Sequence, residues 1–554
     1  SGASTYTGTT TINAGTLKAG VATSAFGSNS AITLANTSGA GLNITGFNNT
    51  IGSLSGGGST GGGVILGSAV LTIGGDNTST SYSGIISGAS GGITKTGTGT
   101  LTLGGASTYT GATTLSAGTL KAAVATSAFG VNSAVTLSNS ADVLLDITGF
   151  NNSIGSLAGG GTTGGNVLLG SATLTIGSNN TSTSFSGVIS GAGGVTKTGT
   201  GTQTFANAQT YTGATTITGG TLKAGTLTTA FGVDSAVSLS NTAGVALDIT
   251  GFNNTIGSLS GGGTTGGNVI LGSAILTIGN ANTSTTFAGI VSGAGGITKT
   301  GTGTLTLSGA NTYTGATSVT SGTLKAGVIT SAFGVNSAIT LTNAAGVILD
   351  LNSFNNTIGS LSGGGTSGGN VLLGTATLTT GGDNTSTTYS GVISGAGGIT
   401  KTGTGTLTLA NNQTYTGATT ISAGTIKAGA LNTAFGVDSA VTLANTSGAT
   451  LDITGFDNTI GSLSGGGTSG GNVVLGSSTL TIGSNNTSTT YAGVISGAGN
   501  VVKNGTGTLT LTGTETFTGA TTINTGTLQI GNGTTDGSIA SSTAITNNAA
   551  LIFN

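Results

Sequence analysis

The side chains able to do chemistry are few, and they fall on a strict schedule. An L-D-I-T string or its variant places Asn43, Asp146, Asp248, Asp350 and Asp452 once per repeat. Lysine forms two series, Lys18, Lys121, Lys223, Lys325, Lys427 and Lys95, Lys197, Lys299, Lys401, Lys503; arginine, histidine and cysteine are absent. Cleaving a glycosidic bond takes two carboxyl groups about 5 to 10 Å apart. Aspartates separated by 102 residues, on coils far apart, do not form such pairs, and they read as exposed residues beside turns. Acid–base catalysis relies most often on histidine. The lysines here have no acid beside them in sequence, and Glu515 is unrepeated, so no catalytic residue and no cofactor site is expected.

Metal and ligand sites are weighed in the same way. Asp76 and Asp383, in G-G-D-N, come nearest to a calcium-binding glycine-rich repeat. Calcium takes six to eight oxygens, usually from several carboxylates, whereas the equivalent Asn179 and Asn485 are amides, so no metal site is expected. The N-T-S-T strings at Asn180, Asn384 and Asn486 match glycosylation acceptors in form, and the plainer reading is a polar ladder or turn. The T-Y-T-G tyrosines Tyr109, Tyr211, Tyr313 and Tyr415 are the candidate ligand-binding residues, since aromatic faces stack on sugars; their plainer role is to fill a narrow core.

The elements that must position these residues follow from periodicity. The T-Y-T-G aromatic recurs at Tyr6, Tyr109, Tyr211, Tyr313, Tyr415 and, as phenylalanine, Phe517, a first interval of 103 residues followed by intervals of 102. Three further aromatic series, starting at Phe26, Phe47 and Tyr82, keep the same period. Within each repeat, short alternating runs such as the one carrying Leu305 and Leu307 are broken by glycine clusters such as Gly262 to Gly267. Alternation with β-branched residues predicts strands of about five residues, and the glycines predict turns. Proline is absent from all 554 residues, as stacked strands that hydrogen-bond on both edges require.

These features predict an all-β chain, a parallel β-helix (β-solenoid) of about 20 residues per coil and about five coils per 102-residue repeat. The expected division is residues 1–5 as the end of a preceding repeat; 6–108, 109–210, 211–312, 313–414 and 415–516 as repeats one to five; and 517–554 as a partial, divergent sixth repeat or cap, all in one continuous solenoid. Like charges then recur about five coils apart, roughly 24 Å at strand spacing, beyond the salt-screening length of about 8 Å.

A net charge of -2 with 35% apolar residues argues against both disorder and a phosphate-binding surface, so nucleic acid is not an expected partner. The remaining classes are a structural fibre, stalk or adhesin scaffold; a carbohydrate-binding module; and, less favoured, an ice-binding or polysaccharide-degrading β-helix. Open solenoid ends present unpaired strand edges. Homotypic partners, stacked head to tail or laterally into filaments, are therefore expected, with surface glycans as a further class.

The string S-G-V-I-S-G-A-G-G-I-T-K-T-G-T-G-T-L-T-L ending at Leu409, followed by T-Y-T-G-A-T-T-I-S-A-G-T-I-K around Tyr415, resembles the autotransporter-associated β-strand repeat. The stretch L-D-I-T-G-F-N-N-T-I-G-S-L-S-G-G-G from Leu247 to Gly263 is similar to the other half of that consensus. The resemblance implies a right-handed parallel β-helix, extracellular or on a bacterial cell surface, with no reaction attached. Secreted members normally end in a membrane β-barrel that exports the passenger; no such segment follows the last repeat here, so the export route is left open.

Overall fold

The computed structural model describes residues 2–436 and 438–554, so Ser1, the first residue of the 1–5 segment, lies outside the described residues. Two compact units divide the chain, residues 1–276 and 277–554. Each is a parallel β-solenoid, and no helix occurs among the described residues. The strands are mostly of three or four residues, and so shorter than expected. Strands this short leave most of each coil to turns, where the glycines lie.

Alternation sets the direction of each side chain, because successive residues of a strand point to opposite faces. In Thr100–Leu103, Leu101 and Leu103 are buried while Thr100 and Thr102 face outward. Stacking then turns sequence into columns. In the first unit Ile12 is in register with Leu34, Leu34 with Gly56, Gly56 with Tyr82, Tyr82 with Leu103 and Leu103 with Ala122. The climb from Ile12 to Ala122 in five steps averages roughly 22 residues per turn, close to the usual coil of a parallel β-helix.

At that coil length a 102-residue repeat makes about four and two-thirds turns. This is near the five expected, and the missing third has a consequence. The T-L-K strand of successive repeats moves to a new column: Thr16–Lys18 stacks with Gly41–Asn43, Thr119–Ala122 with Leu144–Asp146 in the column that starts at Thr10–Ile12, and Thr221–Ala224 in the column that starts at Asn49–Ile51. In the second unit the same strand, at Thr323–Ala326, Thr425–Ala428 and Thr527–Ile530, likewise falls in three different sheets. Within either unit, equivalent surface features of successive repeats therefore face in different directions.

Coil length itself varies with the loops. The step from Leu103 to Ala122 is short and that from Gly56 to Tyr82 is long, the excess being a glycine-rich loop closed by the Gly58 N–H on the Gly61 carbonyl. In the next repeat this loop shows why glycine is needed. Gly160 has φ +67, and a Cβ there would lie 2.5 Å from the Gly187 nitrogen, closer than any side chain can sit.

Candidate functional surface

The four candidate tyrosines lie in the core. Tyr109, Tyr211, Tyr313 and Tyr415 are each 1% exposed, so no face is left for a sugar, and their assignment as ligand-binding residues is corrected accordingly. They stand on inward positions, and their hydroxyls are consumed internally: the Tyr211 hydroxyl is 2.6 Å from Thr215 Oγ1, which is 2.8 Å from Ser235 Oγ, which donates to the Gly213 carbonyl. Burial raises the ionisation of each of these phenols far above its ordinary value. The series beginning at Phe26 and Tyr82 are buried as well, but Phe47 and Phe150 of G-F-N-N stand exposed at turns, so that series is not core.

The L-D-I-T aspartates are not free at turns, Asp146 being buried and Asp248, Asp350 and Asp452 half-buried, and each has a lysine from the preceding coil. Lys121–Asp146, Lys223–Asp248, Lys325–Asp350 and Lys427–Asp452 are ion pairs of 2.9, 2.8, 3.1 and 3.0 Å. The strand register sets them side by side, Lys223 directly below Asp248. Burial opposes the charge on Asp146 and Asp248, but hydrogen bonds from Lys121 and Thr148, and from Lys223 and Thr250, outweigh it and hold both carboxyls below the usual range. In the first repeat Asn43 takes the acid's place opposite Lys18. A carboxylate neutralised in this way, one per site, is a fastening between coils.

The second lysine series is buried, a feature the sequence reading missed. Lys95, Lys197, Lys299, Lys401 and Lys503 are 1 to 2% exposed. Lys197 occupies an inward column, in register with Ile176 below and Ile217 above. Its ammonium donates to the carbonyls of Thr198, Gly199 and Gly219, the last two at 3.1 Å. Lys95 and Lys299 are held by the same arrangement of turn carbonyls. Burial pushes the ammonium pKa of Lys95, Lys197 and Lys299 down to about 8. The signal was present in the alternation: Val195 and Lys197 are two apart on one strand and so share a face.

At the calcium candidates, Asp383 Oδ1 accepts from the backbone N–H and hydroxyl of Thr385, and Asp76 does the same with Thr78. Asn179 makes the identical turn with Thr181. The position thus serves a turn that an amide closes equally well. Among the described residues no group of three or more His, Cys, Asp or Glu is placed to hold a metal. In the N-T-S-T strings the Asn180 and Asn384 side-chain oxygens accept from the backbone N–H groups of Thr200 and Thr404 on the following coil, a polar ladder.

A family model described as Passenger-associated-transport-repeat matches residues 1–19, 93–122, 195–224, 297–326, 399–428 and 501–530. Six segments of the chain thus match the passenger-associated-transport repeat. Each of the four internal matched segments begins two residues before a buried lysine and ends just past the lysine of an ion pair. The chain is also 40% identical over 293 residues to a protein named Adhesin BmaC autotransporter, from Brucella suis biovar 1 (strain 1330); the match covers 51% of this chain and 8% of that protein. No solved structure matches.

Immediately after the matched segments the chain turns an aliphatic residue outward. Leu227, Ile329 and Leu431 occupy one position in three successive repeats and are 59, 62 and 54% exposed. Each precedes a residue in the left-handed region, Thr228 at φ 77, Thr330 at φ 74 and Asn432 at φ 71. Threonine is β-branched and adopts this conformation at a cost of about 1 to 3 kcal/mol. The surrounding structure enforces it: in the third repeat the buried Asn254 accepts from the Ala230 N–H at 2.8 Å and donates to the carbonyls of Thr226 and Phe252. The loop is therefore clamped by the coil above it, with its aliphatic residue outermost. The first two repeats place Ala22 and Ala125 at this position.

Proposed function

We propose that this chain is a non-enzymatic, structural and adhesive part of a surface passenger, displayed outside a bacterial cell, in which the coils provide the scaffold and the clamped loops provide contact. The carrying observation is the recurrence of exposed Leu227, Ile329 and Leu431 beside strained, asparagine-clamped loop residues. Strain held in place by surrounding hydrogen bonds clusters where proteins bind, and an exposed aliphatic residue gains from any partner that removes it from water, about 25 cal/mol per Å² buried. The relative's name supports adhesion, and the passenger repeats support surface display. The partners consistent with this reading are further copies of the chain, end to end or side by side, and surface glycans.

Replacement of Leu227, Ile329 and Leu431 together by threonine tests this reading. Cells or beads displaying the variant should lose most of their adhesion to host-cell layers while the far-ultraviolet circular dichroism stays unchanged. Undiminished adhesion by a folded triple variant would place the contact elsewhere. Electron micrographs of the purified chain at high concentration address the scaffold role: ordered filaments support assembly from like chains, and dispersed single particles oppose it.

A further inference from the structure

Ser107, Gln209, Asn311, Gln413 and Glu515 occupy one buried position, two residues before the T-Y-T-G aromatic in successive repeats. In three of them an amide links the coil to its neighbours. The side-chain oxygen of Gln209 accepts from the Ile189 N–H, and that of Gln413 from the Ile393 N–H, both at 2.7 Å. Their Nε2 groups donate to two carbonyls, Gly187 and Asn207 for Gln209, Gly391 and Asn411 for Gln413. Asn311 follows suit with the Val291 N–H and the Ala332 carbonyl.

Glu515 keeps half of this arrangement. Its Oε2 accepts from the Ile495 N–H, the counterpart of Ile189 and Ile393. Its Oε1 is buried without a partner, and the residue is 2% exposed. By repeat equivalence, the groups opposite the amide nitrogen at this position are the carbonyls of Gly493 and Gly513, which can only accept. An ionised carboxylate has no proton to give them, and an uncompensated buried charge is strongly unfavourable. A neutral carboxylic acid has one O–H and reproduces half of the glutamine's donation.

We propose that Glu515 is a proton-operated latch: as a neutral acid it joins its coil to the coil below, and on losing its proton to water it leaves the core and frees the segment stacked above it. That segment rests directly on the residue, since the Glu515 N–H donates to the Ser538 carbonyl and Ser541 Oγ donates to the Glu515 carbonyl. Burial pushes the Glu515 carboxyl up to about 8, against the Ile495 N–H, which favours the anion. On the coil below, the titratable neighbour is Tyr491, whose phenol is raised far above its usual value by burial and by Glu515, and so stays neutral while Glu515 titrates. In the segment above, residues 531–554, the one charged side chain is Asp536, which is exposed. No lysine forms an ion pair with Glu515 among the described residues.

Amide hydrogen exchange on the full chain tests the latch. From about pH 7 to about pH 9.5, protection of the Ile495 and Glu515 amides, corrected for intrinsic exchange, should fall by about tenfold or more relative to Ile189 and Ile393, which are held by glutamines. Glu515→Gln restores the amide used at positions 209 and 413 and should make Ile495 as insensitive to pH as Ile393. The infrared band of a protonated carboxylic acid should be present at neutral pH and missing in Glu515→Gln. The latch is overturned if Ile495 tracks Ile189 and Ile393 throughout, if Glu515→Gln retains the alkaline loss, or if the acid band is absent at neutral pH.

Discussion

Lys197 and Lys223 lie in one matched segment, 195–224, carry the same ammonium and are held in opposite ways. Lys197 points inward between isoleucines and is bound by three backbone carbonyls with no carboxylate. Lys223 points outward, its side chain 37% exposed, and pairs with Asp248. The first ammonium satisfies three part-buried turn carbonyls, and removing it leaves them without this partner. The second trades water for a partner that water can replace, and such pairs contribute little. Strand parity decides between these fates, because an inward lysine has no solvent to fall back on.

The largest expected effect comes from Lys197→Ala, which removes the cation and leaves a void between Ile176 and Ile217. A loss of about 3 to 5 kcal/mol is expected from the cavity and the orphaned carbonyls, read as lost exchange protection in the surrounding coils. An equal effect of Lys223→Ala would erase the distinction between the two lysines.

The next effect is one of pH. The buried lysines release their protons near pH 8 when folded and near 10.4 when unfolded. Between those values the unfolded chain holds more protons, so stability from these residues rises with pH across the window and is lowest below it. Urea midpoints measured from about pH 7.5 to about 10 should show that rise, and Lys197→Met should reduce it. The aspartates of the ion pairs behave oppositely: Asp146 and Asp248 have lowered carboxyl values, so their contribution is present above the unfolded value near 3.9 and disappears as pH falls through the folded one.

A smaller change is expected for Tyr211→Phe, which breaks the hydroxyl chain to Thr215 and Ser235 while keeping the ring. About 1 kcal/mol of destabilisation with unchanged adhesion would confirm that this aromatic serves the core. The smallest belongs to Lys223→Ala, at most about 1 kcal/mol and diminishing with added salt.

Much of this architecture was legible in the residues. The alternation of Leu305 and Leu307, the glycine clusters and the absence of proline prescribe short stacked strands. The recurrence of whole motifs at a fixed period prescribes that every repeat solves its packing in the same way. The burial of Lys197 is equally available from its spacing to Val195, two residues away on the same face of one strand. The tyrosines are candidates for sugar contact on aromatic character alone, because a T-Y-T-G string does not say which face the ring takes. The pairing of Lys223 with Asp248 was invisible for a different reason: a whole coil of chain separates them, and only the length of that coil brings them together.

By itself the sequence determined the strand pattern and the period, because these depend on alternation and turn chemistry within a few residues. Tertiary structure alone decided how many turns a repeat completes, which lysine meets an acid and which meets carbonyls, and that Leu227 is left outermost. Those outcomes depend on coil lengths that differ from one step to the next, as between Leu103 to Ala122 and Gly56 to Tyr82. Lengthening or shortening a single coil changes what lies above every side chain that follows.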